Sequence, residues 1–443
     1  MGMLRMIVKT IQFQNGERYP VLLGNDGFPH PHTTLWVTSK LRSETLTAQT
    51  ITNKLNHIKH FLEWQQEKQR DLYTEFQRGR FLTDLDIKEL KNYLAVHIPL
   101  KKHSKKVDKK NKVISLNLAP KLIDVTPSVG RNHHYNRMTS VIEYLDFLAK
   151  LASQHVNSSS ITNKVEKMEK RFKKSRPKGK GKKVKDEVNG KNIPKELIQE
   201  FMEVAHYDNP KNPFKVESVR YRNHLMFRLL KKLAIRRGEL LSLKITHMVL
   251  HGSKKCVWVK RTHDDKSDTR NKQPVAKTKE RMLRIDDETA KVLNTYIDKY
   301  RSKVPNANKH PYLLVVHRKG ETQGDPISTS TFDNTIVPMM KKVDDKFSLI
   351  HPHYLRHYWN KEFSEKIDAN NELAASNIEG YTHIDSGSEA KMRMHHMGHS
   401  SETSGDIYNQ RHIAKKANEV SLTEQEELKE KVDQMRKTGG CHE

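Results

Sequence analysis

Residues 164–191 hold thirteen Lys or Arg against four Asp or Glu, and their middle reads RPKGKGKKVK with no apolar period. A stretch like this cannot bury enough apolar surface to join a core, so it divides the chain into two independently patterned parts. It reads as a flexible basic linker, expected over 164–193. It is either a tether lying along phosphates or a solvated one that only aids solubility. The whole chain points the same way. Its 443 residues carry 81 Lys and Arg against 53 Asp and Glu, a net charge of +28, which calls for a polyanionic partner.

Ahead of the linker, Ile51, Leu55, Ile58 and Leu62 draw one apolar stripe down a helix. Thr83 suits the N-cap of a second helix carrying Ile87, Leu90 and Leu94. A third carries Met138, Val141, Ile142, Leu145 and Leu148. Residues 45–163 therefore read as a helical domain, with a lysine-rich loop at 101–112. Residues 1–44 centre on Asn15-Gly16, a hairpin-turn signal, and form a small β-rich element. That element is either a separate DNA-contacting arm or a lead-in packed on the next domain.

After the linker, Pro194 opens a helix. Strands are expected at 256–259 and 281–285, with 312–316 as a further candidate, and helices alternate with them to about residue 410. The fold class is multidomain: α, then mixed α/β. The domains run 1–44, 45–163, linker 164–193, 194–415, and a helical tail at 416–443. Thr423 with Glu426 suits a capping box, so a last helix is expected to start near Thr423. That tail either folds back on its own domain or docks on a neighbouring protomer.

Several chemistries are excluded. There is no GxxxxGK[ST] loop, no GxSxG elbow and no acidic triplet for two metals. His395, His396 and His399 have metal-like spacing, but the Glu of HEXXH is missing and Gly398 suits a helix interior poorly. No metal and no cofactor are expected. Two cysteines, Cys256 and Cys441, make no disulfide framework. No apolar run approaches the roughly 18 residues of a membrane span, and the N-terminus lacks the apolar core of a signal peptide. A cytoplasmic protein, nucleoid-associated when bound to DNA, is expected.

Cutting DNA without a metal needs fixed cations on the phosphate, an in-line nucleophile and a proton for the leaving oxygen. The sequence supplies these parts in order. The run LAIRRGELL holds Arg236 and Glu239, KTKERMLRI holds Lys277, HYLRH holds His353 and Arg356, and MGHSS holds His399, with Tyr408 nine positions after it. Together they resemble the tyrosine recombinase (phage integrase) family. The helical domain and basic linker resemble that family's core-binding domain, and the match covers most of residues 45–410. The sequence departs from the family pattern in three places. Ala234 stands where a glycine is usual. Lys272 and Lys279 compete with Lys277. The spacing from Arg356 to His399 is long, which implies an insertion looping out around 367–389.

The resemblance implies the roles. Arg236 and Arg356 clamp the phosphate, and His399 hydrogen-bonds it. His353 is an accessory acid/base, Lys277 protonates the leaving 5′ oxygen, Tyr408 attacks phosphorus, and Glu239 orients the cations. His351 and His357 are structural, and the pair His134/Arg137 is a decoy of the HxxR pattern. The basic residues Lys173, Lys174, Arg176, Lys178, Lys180, Lys182 and Lys183 are expected on phosphates. The function implied is site-specific recombination, of integrase or transposase type, through a 3′-phosphotyrosine. It would be carried out by a homotetramer on two duplex sites, with accessory DNA-bending proteins as possible partners. A type IB topoisomerase and a catalytically silent architectural DNA-binding protein are the alternatives. A basic RNA-binding protein ranks last, because no RRM-type aromatic motif is present.

Overall fold

The computed structural model describes residues 6–24, 26–44, 46–96, 128–154, 159–178, 193–399 and 420–434. The chain divides into two compact units, Met1–Gly190 and Lys191–Glu443.

The first unit opens on the antiparallel pair β1 (Ile7–Gln12) and β2 (Arg18–Leu23), with Ile7 opposite Leu23. Gly16 closes the turn at φ 91°, a conformation that favours glycine. Asn15 Oδ1 accepts the Glu17 N–H at 2.9 Å. Met6 and Leu22 share one buried core with Trp36, Val37 and Leu41, and with Ile51, Leu55 and Ile58 of α2 (Ala48–Glu67). The β element is thus packed on the helical domain; the short helix α1 (Pro31–Trp36) links them. Helices α3 (Leu72–Gln77), α4 (Asp84–Ala95) and α5 (Arg131–Ala152) complete the bundle. Thr83 caps α4 in a reciprocal box with Asp86, and the α5 stripe of Met138, Val141, Ile142, Leu145 and Leu148 is buried.

The basic stretch does not begin as a tether. Residues Ser159–Ser175 form helix α6, whose Val165, Met168 and Phe172 enter the same core. Three apolar residues spaced 3 and 4 suffice to dock a helix whose other faces are charged. Counting charge alone hides them.

The second unit begins with α7 (Lys195–Val204), for which Pro194 is the N-cap residue. Then come α8 (Glu217–Leu233) and α9 (Arg237–Leu241). The strands β3 (Met248–Val249), β4 (Cys256–Val259) and β5 (Arg281–Arg284) form an antiparallel sheet in sequence order. Helix α10 (Asp287–Thr295) follows, and later α11 (Pro352–Ala375) and α12 (Ser386–Met397). Leu225, Leu229, Leu240, Val257, Leu283 and Leu355 lie in one core, so helices, sheet and the turn before α9 are fixed to one another.

Three expectations are corrected. Tyr312 and Val315 make only isolated bridges, to Lys244 and Pro326. Leu313 donates to the Leu243 carbonyl while the Leu314 carbonyl accepts from Ile327, so the segment is extended but pairs with two different loops. The insertion after Arg356 loops out only over 376–385. Helix α11 continues to Ala375, and a turn held by reciprocal bonds between Asn371 and Ile384 leads into α12. The tail helix is present over 420–434, every residue exposed, and it extends N-terminal to Thr423, which sits within it rather than capping it. No helix among the described residues is long and apolar enough to cross a membrane.

Candidate active site

Helix α8 ends at Leu233, and Ala234 takes the left-handed conformation, φ 50° and ψ 25°. This is the position where the sequence offered alanine for the family's glycine, and the backbone gives the reason for that preference. The chain reverses through the buried Ile235 and enters α9 with Arg236 as its N-cap residue. The Arg236 N–H donates to Glu239 Oε2 at 3.1 Å, and Arg236 Nη1 donates to Glu239 Oε1 at 3.4 Å. The Arg236 side chain stays 34% exposed, and its guanidinium makes no other hydrogen bond among the described residues. Arg237 is instead ion-paired with Asp333.

Glu239 is fully buried. Thr278 Oγ1 donates to Oε1 at 2.7 Å, and Arg281 Nη2 donates to Oε2 at 2.8 Å. Burial pushes the Glu239 carboxyl up, but Arg281, Thr278 and the Arg236 N–H together hold it below its ordinary value. It is a carboxylate.

His351 caps α11, with its Nδ1 accepting from the Tyr354 N–H, and Pro352 follows at the first turn. One turn on, Arg356 points inward and is 1% exposed. Its Nη1 donates to the Ala234 carbonyl, and its Nη2 to the Met397 carbonyl at 2.9 Å. The same Nη2 lies 3.2 Å from His399 Nε2. Helix α12 stops at Gly398, left-handed at φ 65°, whose carbonyl accepts the Lys279 N–H at 3.0 Å.

His399 is held at about 4, first by burial and then by Arg356, Arg236 and Arg281. It is therefore neutral at neutral pH. An arginine N–H only donates, so Nε2 is the acceptor and Nδ1 carries the proton. Nδ1 is buried and has no hydrogen-bond partner among the described residues. The site thus has a partly exposed cation, Arg236, and a buried neutral N–H, His399 Nδ1, beside a buried lattice of Arg356, Glu239 and Arg281. This is chemistry suited to an anionic, hydrogen-bond-accepting group.

Residues 191–370 match the Phage integrase family. Among solved structures the chain is similar to the XerA recombinase, at 16% identity over 86% of this chain and 93% of that one, with a TM-score of 0.30. It is also similar to the XerH site-specific recombinase bound to palindromic difH substrate in a post-cleavage complex. That likeness is at 14% identity over 67% of this chain and 73% of the other, with a TM-score of 0.36. No curated relative matches the sequence.

The second unit brings together Arg236, Glu239, Arg356 and His399 from three distant stretches. Lys277 is exposed and lies in the connection between β4 and β5, not on a strand. Lys272 and Lys279 are exposed as well, and Lys279 is tied through its backbone to Gly398. His353 is exposed on the first turn of α11, its ring edge-on to that of His357 with centroids 4.5 Å apart. Tyr408 lies outside the described residues, as do Lys180, Lys182 and Lys183.

In the first unit, Lys173 pairs with Glu169 at 2.6 Å, and Arg176 stacks over Tyr135 at 4.9 Å. Both cations expected on phosphates thus have protein partners, while Lys174 and Lys178 are exposed. The decoy is structural: His134 bonds the Lys91 carbonyl, and Arg137 bonds those of Leu94 and Val96. Sequence reasoning missed Thr278 and Arg281. A signal was there. Alternation in β5 puts Arg281 on the same inward face as Leu283, with Met282 and Arg284 outward.

Proposed function

We propose that this protein is a site-specific DNA recombinase of the integrase or transposase type, which cuts and rejoins duplex DNA through a 3′-phosphotyrosine. The observation that carries this reading is the assembly of Arg236, Glu239, Arg356 and His399 around one point. Arg236 neutralises a non-bridging oxygen of the scissile phosphate, and His399 Nδ1–H donates to it. Arg356 supplies charge from behind and fixes the His399 tautomer.

Tyr408 attacks in line. A bond forms from its oxygen to phosphorus as the bond to the 5′ oxygen breaks, and a lysine of residues 272–279 gives that oxygen its proton. The phenol gives its own proton to solvent water, a loss that the surrounding cations favour. Attack by another strand's 5′-hydroxyl reverses these events and needs neither ATP nor a metal. Affinity for DNA comes from the general excess of cations, net +28. A homotetramer on two sites, with accessory DNA-bending proteins, is the assembly that strand exchange calls for.

The test is covalent capture on a labelled, nicked suicide duplex, read on a denaturing gel. Wild type forms a protein–DNA adduct. Tyr408→Phe binds the same duplex with nearly unchanged affinity and forms none. Adduct from the variant overturns the assignment.

A further inference from the structure

Glu239 is a buried carboxylate with two guanidinium groups in reach. Arg281 meets it at 2.8 Å with a side chain only 2% exposed. Arg236 meets it at 3.4 Å and is 34% exposed. The donors of Arg281 run in several directions. Nε bonds the His396 carbonyl at 2.6 Å, Nη1 bonds Thr278 Oγ1 at 2.9 Å, and Nη2 takes Glu239. Thr278 in turn donates to the other Glu239 oxygen, which closes a ring.

We propose that Arg281 is a positioning residue of the site: by neutralising Glu239 it leaves the Arg236 guanidinium free for the scissile phosphate, and by holding the end of α12 it sets the place of His399. This rests on the recombinase reading above. The physical reason is that a buried carboxylate must have a counter-charge. With Arg281 present, the short and fully desolvated pair is Arg281–Glu239, and Arg236 is held only weakly. Without it, Arg236 is the cation left within reach. It would be drawn down onto Glu239 and would lose donors that the phosphate needs. The same guanidinium grips the last turn of α12 through His396, whose ring is stacked on Trp359 at 4.1 Å. Gly398 passes so close that a Cβ there would stand 2.7 Å from Arg281 Nη1. The strand β5, the end of α12 and the start of α9 are therefore joined at one side chain.

The experiment uses the full chain and two readouts: single-turnover adduct formation on the suicide duplex, and affinity for an intact duplex. The variants are Arg281→Met, Arg281→Lys, and Arg281→Met combined with Glu239→Gln. Arg281→Met should form adduct roughly 10–100-fold more slowly than wild type, the scale of a misplaced reacting group. Its DNA affinity should stay within about twofold, because affinity comes from charge elsewhere. Arg281→Lys keeps the charge and should recover most of the rate. Adding Glu239→Gln removes the charge that captures Arg236, so the double variant should be faster than Arg281→Met. A merely structural role would not give that suppression.

A folded Arg281→Met at the wild-type rate, or a double variant no faster than the single one, overturns the proposal. Should Arg281→Met not fold, Arg281→Lys decides: folded but as inactive as Tyr408→Phe, it overturns the charge argument; active, it supports it. Failure of the wild type itself to form adduct would overturn the recombinase reading instead.

Discussion

At the residue scale, the chemistry turns on which hydrogens are on offer. Arg356 takes His399 Nε2, so the His399 proton sits on the buried Nδ1. A histidine held at about 4 gives that donor through the whole neutral range. Lys277 and Lys279 are both exposed and two residues apart, on the same side of a chain whose Ala276 and Thr278 are buried. A 5′-thio leaving group needs no proton from an acid, so it restores cleavage only to a variant that lacks the acid. Lys277→Ala should slow adduct formation far more than it weakens binding, and a 5′-thio substrate should restore much of the rate. Rescue of Lys279→Ala and not of Lys277→Ala would move the acid two residues along.

At the element scale, the site is a junction. The segment before β5 lies on the C-terminal end of α12, with the Lys279 N–H on the Gly398 carbonyl. Gly398 is required twice over. Its φ of 65° suits a residue without Cβ, and an added Cβ would meet Arg281 Nη1 at 2.7 Å, the Lys279 carbonyl at 2.9 Å and Thr278 Cβ at 3.0 Å. Gly398→Ala should therefore destabilise the protein by about 1–3 kcal/mol, the cost of a strained backbone position. It should also cut adduct formation by more than the loss of folded protein explains, because His399 is displaced. Denaturant unfolding and single-turnover cleavage, measured together, check this. A variant with wild-type stability and rate would show that the junction tolerates separation.

At the scale of the whole molecule, buried histidines tie stability to pH. His224, His396 and His399 in the second unit and His57 in the first are each lowered to about 4, with burial the largest cause in all four. In the unfolded chain they titrate near 6.5. Between those values the unfolded state binds more protons, so stability is full above about 6.5 and falls as the pH drops toward 4. The lowered carboxylates act later. Asp286, held at about 2, contributes above its unfolded value of 3.8 and loses that contribution only as the pH falls below it. The melting temperature should therefore be lower at about pH 5 than at about pH 7.5. An equal or higher value at the lower pH would mean that these imidazoles are protonated in the folded protein.

Much of this molecule is local, and the sequence alone determined it. The stripe of Ile51, Leu55 and Ile58, the Thr83 cap and the Asn15-Gly16 turn all depend on residues a few positions apart. Arg236, Arg356 and His399 were singled out by the resemblance of their motifs to those of the tyrosine recombinase family. Other features depend on partners far along the chain, and only the tertiary structure decided them. The helix inside the basic run forms because Val165, Met168 and Phe172 find a core that the preceding helices build. Residues 312–316 do not form a strand because their partners are two separate loops. Arg356 is buried because Ala234, Met397 and His399 converge on it from different segments. Arg281 read as one cation among 81, yet it is the buried counter-charge of Glu239. Periodicity and capping are set within a turn or two of chain, whereas the neutralisation of a buried charge is set by whichever distant segment the fold brings beside it.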